Sequence, residues 1–85
     1  MKHAGTAALD TLDPLLARIR AYGQLKEKKR GCFYMKGKGF LHFHEDAAGL
    51  FADLSTGATN ERIRVSTPQQ QRSLLSRIAQ LLRDG

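Results

Sequence analysis

The spacing of apolar residues changes along the chain and predicts helices at its two ends. After residue 14, apolar side chains recur every three or four positions, which is the period of a helix with one buried face. They are Leu15, Leu16, Ile19, Tyr22 and Leu25. Asp13 before Pro14 is typical of a helix start, because the aspartate can cap the first turn and proline has no N–H to leave unpaired. The basic residues over 26–30, followed by Gly31, indicate its end.

We therefore predict a first helix from Asp13 to Arg30, preceded by a loose tail over residues 1–8. A helix that begins near Ala7 and contains Pro14 is the alternative. Near the other end, Thr67 with Gln70 three residues later forms a capping-box pattern that opens a second helix. The apolar stripe of that helix consists of Leu74, Leu75, Ile78, Leu81 and Leu82.

Between Gly31 and Val65 the apolar period becomes two, which is the period of strands with one buried face. Glycine-containing segments that suit hairpin loops separate four such runs. The runs are Cys32–Lys36, Phe40–Glu45, Leu50–Ser55 and Glu61–Ser66. The sequence therefore predicts one α+β domain over residues 1–85. In it, a four-stranded antiparallel sheet in the order α-β-β-β-β-α has both helices packed on one face.

Closing the loop at 46–49 sets His42 opposite Asp53, and closing the last hairpin sets Arg62 opposite Asp53. The first hairpin has two possible registers. A two-residue turn at Gly37-Lys38 puts Cys32 and Tyr34 on the apolar side, whereas a three-residue turn over 37–39 puts Phe33 and Met35 there. We prefer the three-residue turn because it buries the more apolar pair.

With that register, the face opposite the predicted core carries aromatic, imidazole and guanidinium groups in two cross-strand rows. The rows are Tyr34–His42–Asp53–Arg62 and Cys32–His44–Phe51–Arg64, with Phe40 and Lys36 nearby. Rings on a sheet can stack on bases while basic side chains contact phosphates. The same rings suit contact with a second copy of the chain, so a homodimer is left open. We predict a binding surface made of Tyr34, Phe40, His42, His44, Phe51, Asp53, Arg62 and Arg64.

Charge supports an anionic partner for this surface. The 85 residues carry a formal net charge of +6, and the whole excess lies before Phe40. A basic half is typical of proteins that bind nucleic acid or another anionic ligand. The other interpretation is a solvated face together with a helix C-terminus that cations stabilise.

Metal binding and acid/base catalysis are the two alternatives to a binding function for this face. His42 and His44 point the same way and invite a metal ion, with Asp53 or Cys32 adjacent, but zinc needs three or four ligands. We therefore predict no metal and no cofactor. Tyr34, His42 and Asp53 resemble part of a proton relay, or else form a structural network with Arg62. A non-enzymatic binding module is thus our prediction, and a metal- or acid/base-dependent small-molecule enzyme using His42, His44, Tyr34 and Asp53 is the alternative.

The sequence also predicts a compartment. It has one cysteine, no apolar stretch of the roughly 18 residues that a membrane span needs, and no apolar run over residues 1–8 typical of a secretion signal. These features predict a cytoplasmic protein without membrane contact.

Residues 31–54 read GCFYMKGKGFLHFHEDAAGLFADL. This segment combines a Phe-Tyr strand, a Phe-Leu-His-Phe-His-Glu-Asp block and a Gly-Leu-Phe-Ala-Asp block. It resembles a group of small uncharacterised bacterial α+β proteins that share these blocks. The resemblance implies a small cytoplasmic bacterial α+β domain and implies no activity.

Overall fold

The computed structural model describes residues 2–84, which form three helices and an antiparallel sheet. The elements are β1 (Lys2–His3), α1 (Thr6–Thr11), α2 (Asp13–Arg20), β2 (Lys26–Lys29), β3 (Cys32–Met35), β4 (Lys38–Asp46), β5 (Gly49–Ser55), β6 (Asn60–Arg64) and α3 (Pro68–Asp84). The prediction of an α+β fold with an antiparallel sheet is confirmed. The prediction of four strands is wrong, because the described residues contain six.

Five strands follow one another across the sheet in the order β2-β3-β4-β5-β6. Strand β4 is long enough to pair with two strands along one edge. Its first half pairs with β3, and its second half pairs with β1, where His3 lies opposite His44. Strand β5 pairs with β4 along the other edge.

The extra strand β2 replaces the predicted last turns of the first helix. Helix α2 ends at Arg20, and residues 26–29 pair with β3 through a hairpin closed at Arg30-Gly31. Gly31 has a φ of +79°, a conformation that glycine adopts without strain. The sequence interpretation was wrong here because a glycine at positive φ can end a helix or close a hairpin equally well.

The predicted loose tail is also different in the structure. Strand β1 and the start of α1 occupy residues 2–8, while Met1 lies outside the described residues. Helices α1 and α2 meet at Leu12, and Pro14 lies in the first turn of α2. Proline has no N–H to donate to the carbonyl four residues earlier, so a continuous helix would lose a hydrogen bond at this point. Asp13 makes no capping hydrogen bond and instead lies near Arg20 and Arg30.

One hydrophobic cluster joins the helices to the sheet. From the helices it includes Leu9, Leu12, Leu15, Leu16, Ile19, Leu74, Ile78 and Leu82. From the strands and their ends it includes Phe33, Phe40, Leu41, Phe43, Ala52, Leu54 and Val65. Apart from Phe40, these sheet residues all belong to the face that the alternation of apolar residues predicts to be buried.

The first hairpin has neither of the two turns considered from the sequence. Lys36 and Gly37, with φ of 52° and 81°, form a two-residue turn between Met35 and Lys38. The register then shifts, so that Phe33 pairs with Leu41 while Tyr34 pairs with Gly39. Phe40 is the extra residue of this bulge. Phe33 is therefore buried, as preferred, but Tyr34 is not directly opposite His42.

The start of α3 agrees with the sequence pattern. Thr67 Oγ1 accepts a hydrogen bond from the N–H of Gln70 at 3.1 Å, and Gln70 Oε1 accepts one from the N–H of Thr67 at 3.1 Å. This reciprocal capping box satisfies two backbone donors at the end of the helix. Within residues 2–84, no helix combines the length and the apolar character that crossing a membrane requires.

Candidate functional site: the histidine face

The candidate site is the side of the sheet opposite the buried strand residues, which we call the histidine face. It is formed by His3, Lys28, Tyr34, His42, His44, Phe51, Asp53, Arg62 and Arg64. On β4, Leu41 and Phe43 are 0% and 2% exposed, whereas His42 and His44 are half-buried on the other side. The alternation predicted for β4 is therefore confirmed from Leu41 to His44.

The predicted register of the central strands is also confirmed. His42 pairs with Asp53 and His44 with Phe51 between β4 and β5. Asp53 and Phe51 in turn pair with Arg62 and Arg64 on β6. Short loops set these pairings, so they could be derived from the sequence without tertiary information.

Asp53 is the centre of a polar network on this face. Its Oδ1 accepts a hydrogen bond from Arg62 Nε at 2.9 Å, and its Oδ2 accepts one from Arg62 Nη2 at 3.2 Å. His44 Nε2 lies 2.9 Å from Oδ2. The Arg62 guanidinium lowers the pKa of Asp53 most strongly, against the effect of burial, and the nearby His44 lowers it further. The carboxylate is thus ionised and already occupied by its neighbours.

The imidazole that contacts Asp53 is His44, not the His42 of the predicted relay. His44 Nδ1 is buried and has no hydrogen-bond partner among the described residues. The His3 ring is stacked on His44, with the ring centroids 4.8 Å apart. A substrate therefore has no open path to the free nitrogen of the imidazole that Asp53 orients.

The part of the chain from residue 2 to 84 contains no group of three or more His, Cys, Asp or Glu side chains placed to hold a metal ion. His42 and His44, the weak metal candidates, are accompanied by His3 instead. The ring centroids of His3 and His42 lie 6.3 Å apart. Cys32 is not opposite His44 as predicted, because the observed register pairs Phe33 with Leu41; His3 of β1 lies opposite His44 instead.

Three rings form a short row across the histidine face. The Tyr34 and His42 centroids are 6.4 Å apart with the rings tilted by 50°, and His3 follows on the other side of His42. Lys28 Nζ lies 4.7 Å from the centroid of the Tyr34 ring. A cation therefore stands directly beside an aromatic surface.

Two predicted site residues are less exposed to solvent than the sequence analysis expects. Phe40 is 4% exposed and belongs to the core cluster, so its predicted place on the open face is wrong. The bulge in β4 explains this, because an extra residue breaks the alternation of sides. Phe51 lies on the expected face but is only 8% exposed. The Arg64 guanidinium lies 5.0 Å above its ring, and Arg64 Nη1 donates a hydrogen bond to the Ala48 carbonyl at 2.9 Å.

Sequence reasoning missed His3 and Lys28. A two-residue strand such as β1 leaves no periodic signal, so His3 could not be placed from the sequence. Lys28 could have been placed on a strand from the sequence. Gly31 lies between the short segment 26–30 and the β-rich segment that starts at Cys32, which is the position of a loop glycine in a hairpin. The basic composition of segment 26–30 favoured a helix end instead.

The fold and the site define a class in structural terms: a small α+β protein with a basic, ring-bearing sheet face. When the chain is compared with known proteins, no family model, no curated protein and no solved structure matches it. The resemblance of residues 31–54 to a bacterial group therefore stays a prediction.

Proposed function

We propose that this chain is a non-enzymatic binding module that takes single-stranded nucleic acid on the histidine face. The proposal includes the packing of the helices on the opposite, apolar side of the sheet, which leaves the histidine face to a partner. The shared cluster of buried helix and strand residues supports that arrangement.

The observation that carries the proposal is the order of groups across the face. Tyr34, His42 and His3 form the row of rings, with Lys28 at one side. Arg62 and Arg64 lie on the far strand, at the other side of the face. Single strands bind to such surfaces by stacking bases on rings while basic side chains contact the backbone.

Competition between Lys28 and a base for the Tyr34 ring favours the base. A cation over an exposed ring contributes about 0.5–1 kcal/mol, whereas stacking of a base on an aromatic side chain contributes about 1–3 kcal/mol. Lys28 is exposed, so its ammonium can move from the ring to a phosphate. The same strand would then use both the ring and the cation.

The charge of the face argues against a second copy as the partner. Asp53, the carboxylate at the centre of the histidine face, is occupied by Arg62 and His44, and Asp46 at the end of β4 accepts a hydrogen bond from the Ala48 N–H. A symmetric dimer through this face would bring the cations of one copy towards those of the other, which is unfavourable. An anionic strand gains from the same charges.

Fluorescence anisotropy with a labelled oligouridylate of about ten nucleotides, within the range of known single-strand sites, tests the proposal. We expect saturable binding that Tyr34→Leu weakens about tenfold, because the base loses its ring. Arg72→Gln is the control, since Arg72 is exposed on α3, away from the face. Absence of saturable binding, or equal loss in both variants, overturns the proposal. A concentration-dependent size on gel filtration that Tyr34→Leu abolishes assigns the face to self-association instead.

A further inference from the structure

We infer that a groove beside the histidine face binds one nucleotide of the strand as a nucleoside monophosphate unit. This inference rests on the proposed function and adds to it a specific binding site for one nucleotide. We call it the Lys29 groove; among the residues that line it are His3, Thr6, Lys29, Arg30, Tyr34 and His42.

The groove lies where β1 and the start of α1 meet the β2–β3 hairpin. Its volume is about 500 Å³, which is within the roughly 300–1,000 Å³ of most small-molecule sites. Leu9 and Gly31 also line it, and a Cβ on Gly31 would come within 2.7 Å of Leu9 Cδ2. Glycine therefore lets the hairpin approach α1 closely at this wall.

One wall of the groove carries flat rings. His42 lies between Tyr34 and His3, at 6.4 Å and 6.3 Å between ring centroids. All three rings line the groove as well as the histidine face. Tyrosine and histidine are ring types on which proteins stack unpaired bases.

The hairpin wall of the groove carries cations. Arg30 Nη2 is held by Asp10 at 2.8 Å and by Asp13 at 3.4 Å, which fixes its guanidinium near α1 and α2. Lys29 is exposed and has no ion pair among residues 2–84. None of the described side chains that line the groove is a carboxylate.

Two carboxylates do reach the backbone of lining residues. Glu45 accepts a hydrogen bond from the Gly5 N–H, and Glu27 accepts one from the Gly31 N–H. Lys29 is the lining cation that has no carboxylate partner within the described part of the chain, so it is the group that attracts an anion into the groove.

The two walls together select the ligand class. Inorganic phosphate would use the cations but not the rings, and a nucleoside would use the rings but not the cations. A nucleoside monophosphate has both a base and a charged phosphate, which lysine binds as a point charge. We therefore expect the nucleotide to bind more tightly than either of its parts.

A titration followed by amide nuclear magnetic resonance tests this inference, with uridine monophosphate, uridine and inorganic phosphate as probes. We expect uridine monophosphate to shift the amide signals of Gly31 and Cys32 and to saturate at a concentration about tenfold lower than either part, the equivalent of one charged contact. Equal affinity for the three probes overturns the inference, as do shifts confined to the Arg62–Arg64 side.

Lys29→Gln and Lys38→Gln form the matched pair of variants. Both remove one exposed lysine charge, but Lys38 lies outside the Lys29 groove. Lys29→Gln is expected to weaken the binding of uridine monophosphate about tenfold and to leave the binding of uridine unchanged, because only the phosphate contact is lost. An equal effect of Lys38→Gln shows general charge attraction and overturns the assignment.

The results also separate this inference from the proposed function. If the oligouridylate binds the histidine face but uridine monophosphate leaves the groove signals unchanged, the groove assignment fails and the proposed function stands. If the monophosphate binds in the groove but the oligouridylate shows no saturable binding, the proposed function fails, and with it the assignment of the groove to a strand.

Discussion

Asp53 holds two strands of the histidine face together through its carboxylate. It accepts hydrogen bonds from Arg62 on the neighbouring strand β6, and it contacts His44 on β4. The Asp53 side chain is 25% exposed, so solvent screens these contacts only in part. Losing the carboxylate also leaves His44 Nε2 without its partner, which has a cost of its own.

We predict that Asp53→Asn lowers the free energy of unfolding by about 1–2 kcal/mol at neutral pH. The pKa of Asp53 is lowered in the folded state, so its stabilisation is complete above the ordinary aspartate pKa, near 3.9. It is lost as the pH falls through the lower folded value. Urea unfolding of the unmodified protein and of Asp53→Asn, at pH 7 and at about pH 3, measures the difference in unfolding free energy between them at each pH. A difference that does not shrink in acid contradicts the assigned ion pairs.

At Gly31, both the available space and the backbone conformation exclude a side chain. Its φ is +79°, and an added Cβ would lie 2.7 Å from Leu9 Cδ2. We predict that Gly31→Ala destabilises the fold by about 1–3 kcal/mol. Thermal unfolding measures it, with Gly23→Ala as control. A Cβ at Gly23 meets no atom within 4 Å, so a similar loss in both variants argues against the tight approach.

At the scale of elements, the turn of the β3–β4 hairpin contains a residue with a strained backbone, and a substitution can relieve that strain. Lys36 has a φ of 52° in its two-residue turn, a conformation in which asparagine is better tolerated. We predict that Lys36→Asn raises the unfolding free energy by about 0.5–1 kcal/mol. Lys38→Asn is the control, because Lys38 lies in β4 and is not at positive φ. If Lys36→Asn and Lys38→Asn change the thermal stability equally, the result contradicts a turn with Lys36 at positive φ.

The central elements could be predicted from the sequence, and the outer ones could not. Strands β4 and β5 alternate clearly, and α3 opens with a capping box. Strand β2 is different, because residues 26–29 carry three lysines and a glutamate and contain no apolar residue to set a period. Strand β1 has two residues and exists only through its pairing with β4.

At the scale of the whole molecule, the net charge of +6 predicts a salt-dependent affinity. Lys28, Lys29 and Arg64 have no ion pair among residues 2–84 and lie on the histidine face or in the groove. Three phosphate contacts to a single strand give a slope of about −2 in log affinity against log salt.

We therefore predict that oligouridylate binding weakens roughly 20-fold between about 50 and 200 mM salt. Anisotropy titrations at several salt concentrations measure the slope. Lys28→Gln should reduce its magnitude by about 0.7, the share of one phosphate contact. The exposed control Arg72→Gln should leave it unchanged. An affinity independent of salt contradicts phosphate contacts on this face.

The sequence by itself determined which residues of β5, of β6 and of β4 beyond its bulge face the core and which face away. Alternation and short loops are local properties, so they place His42, His44, Asp53 and Arg62 on one side without further information. The tertiary structure alone decided what stands beside them. The bulge that buries Phe40 and the pairing that brings His3 onto His44 depend on contacts between distant segments. No local pattern encodes such contacts, because their stabilisation exists only when both segments are packed.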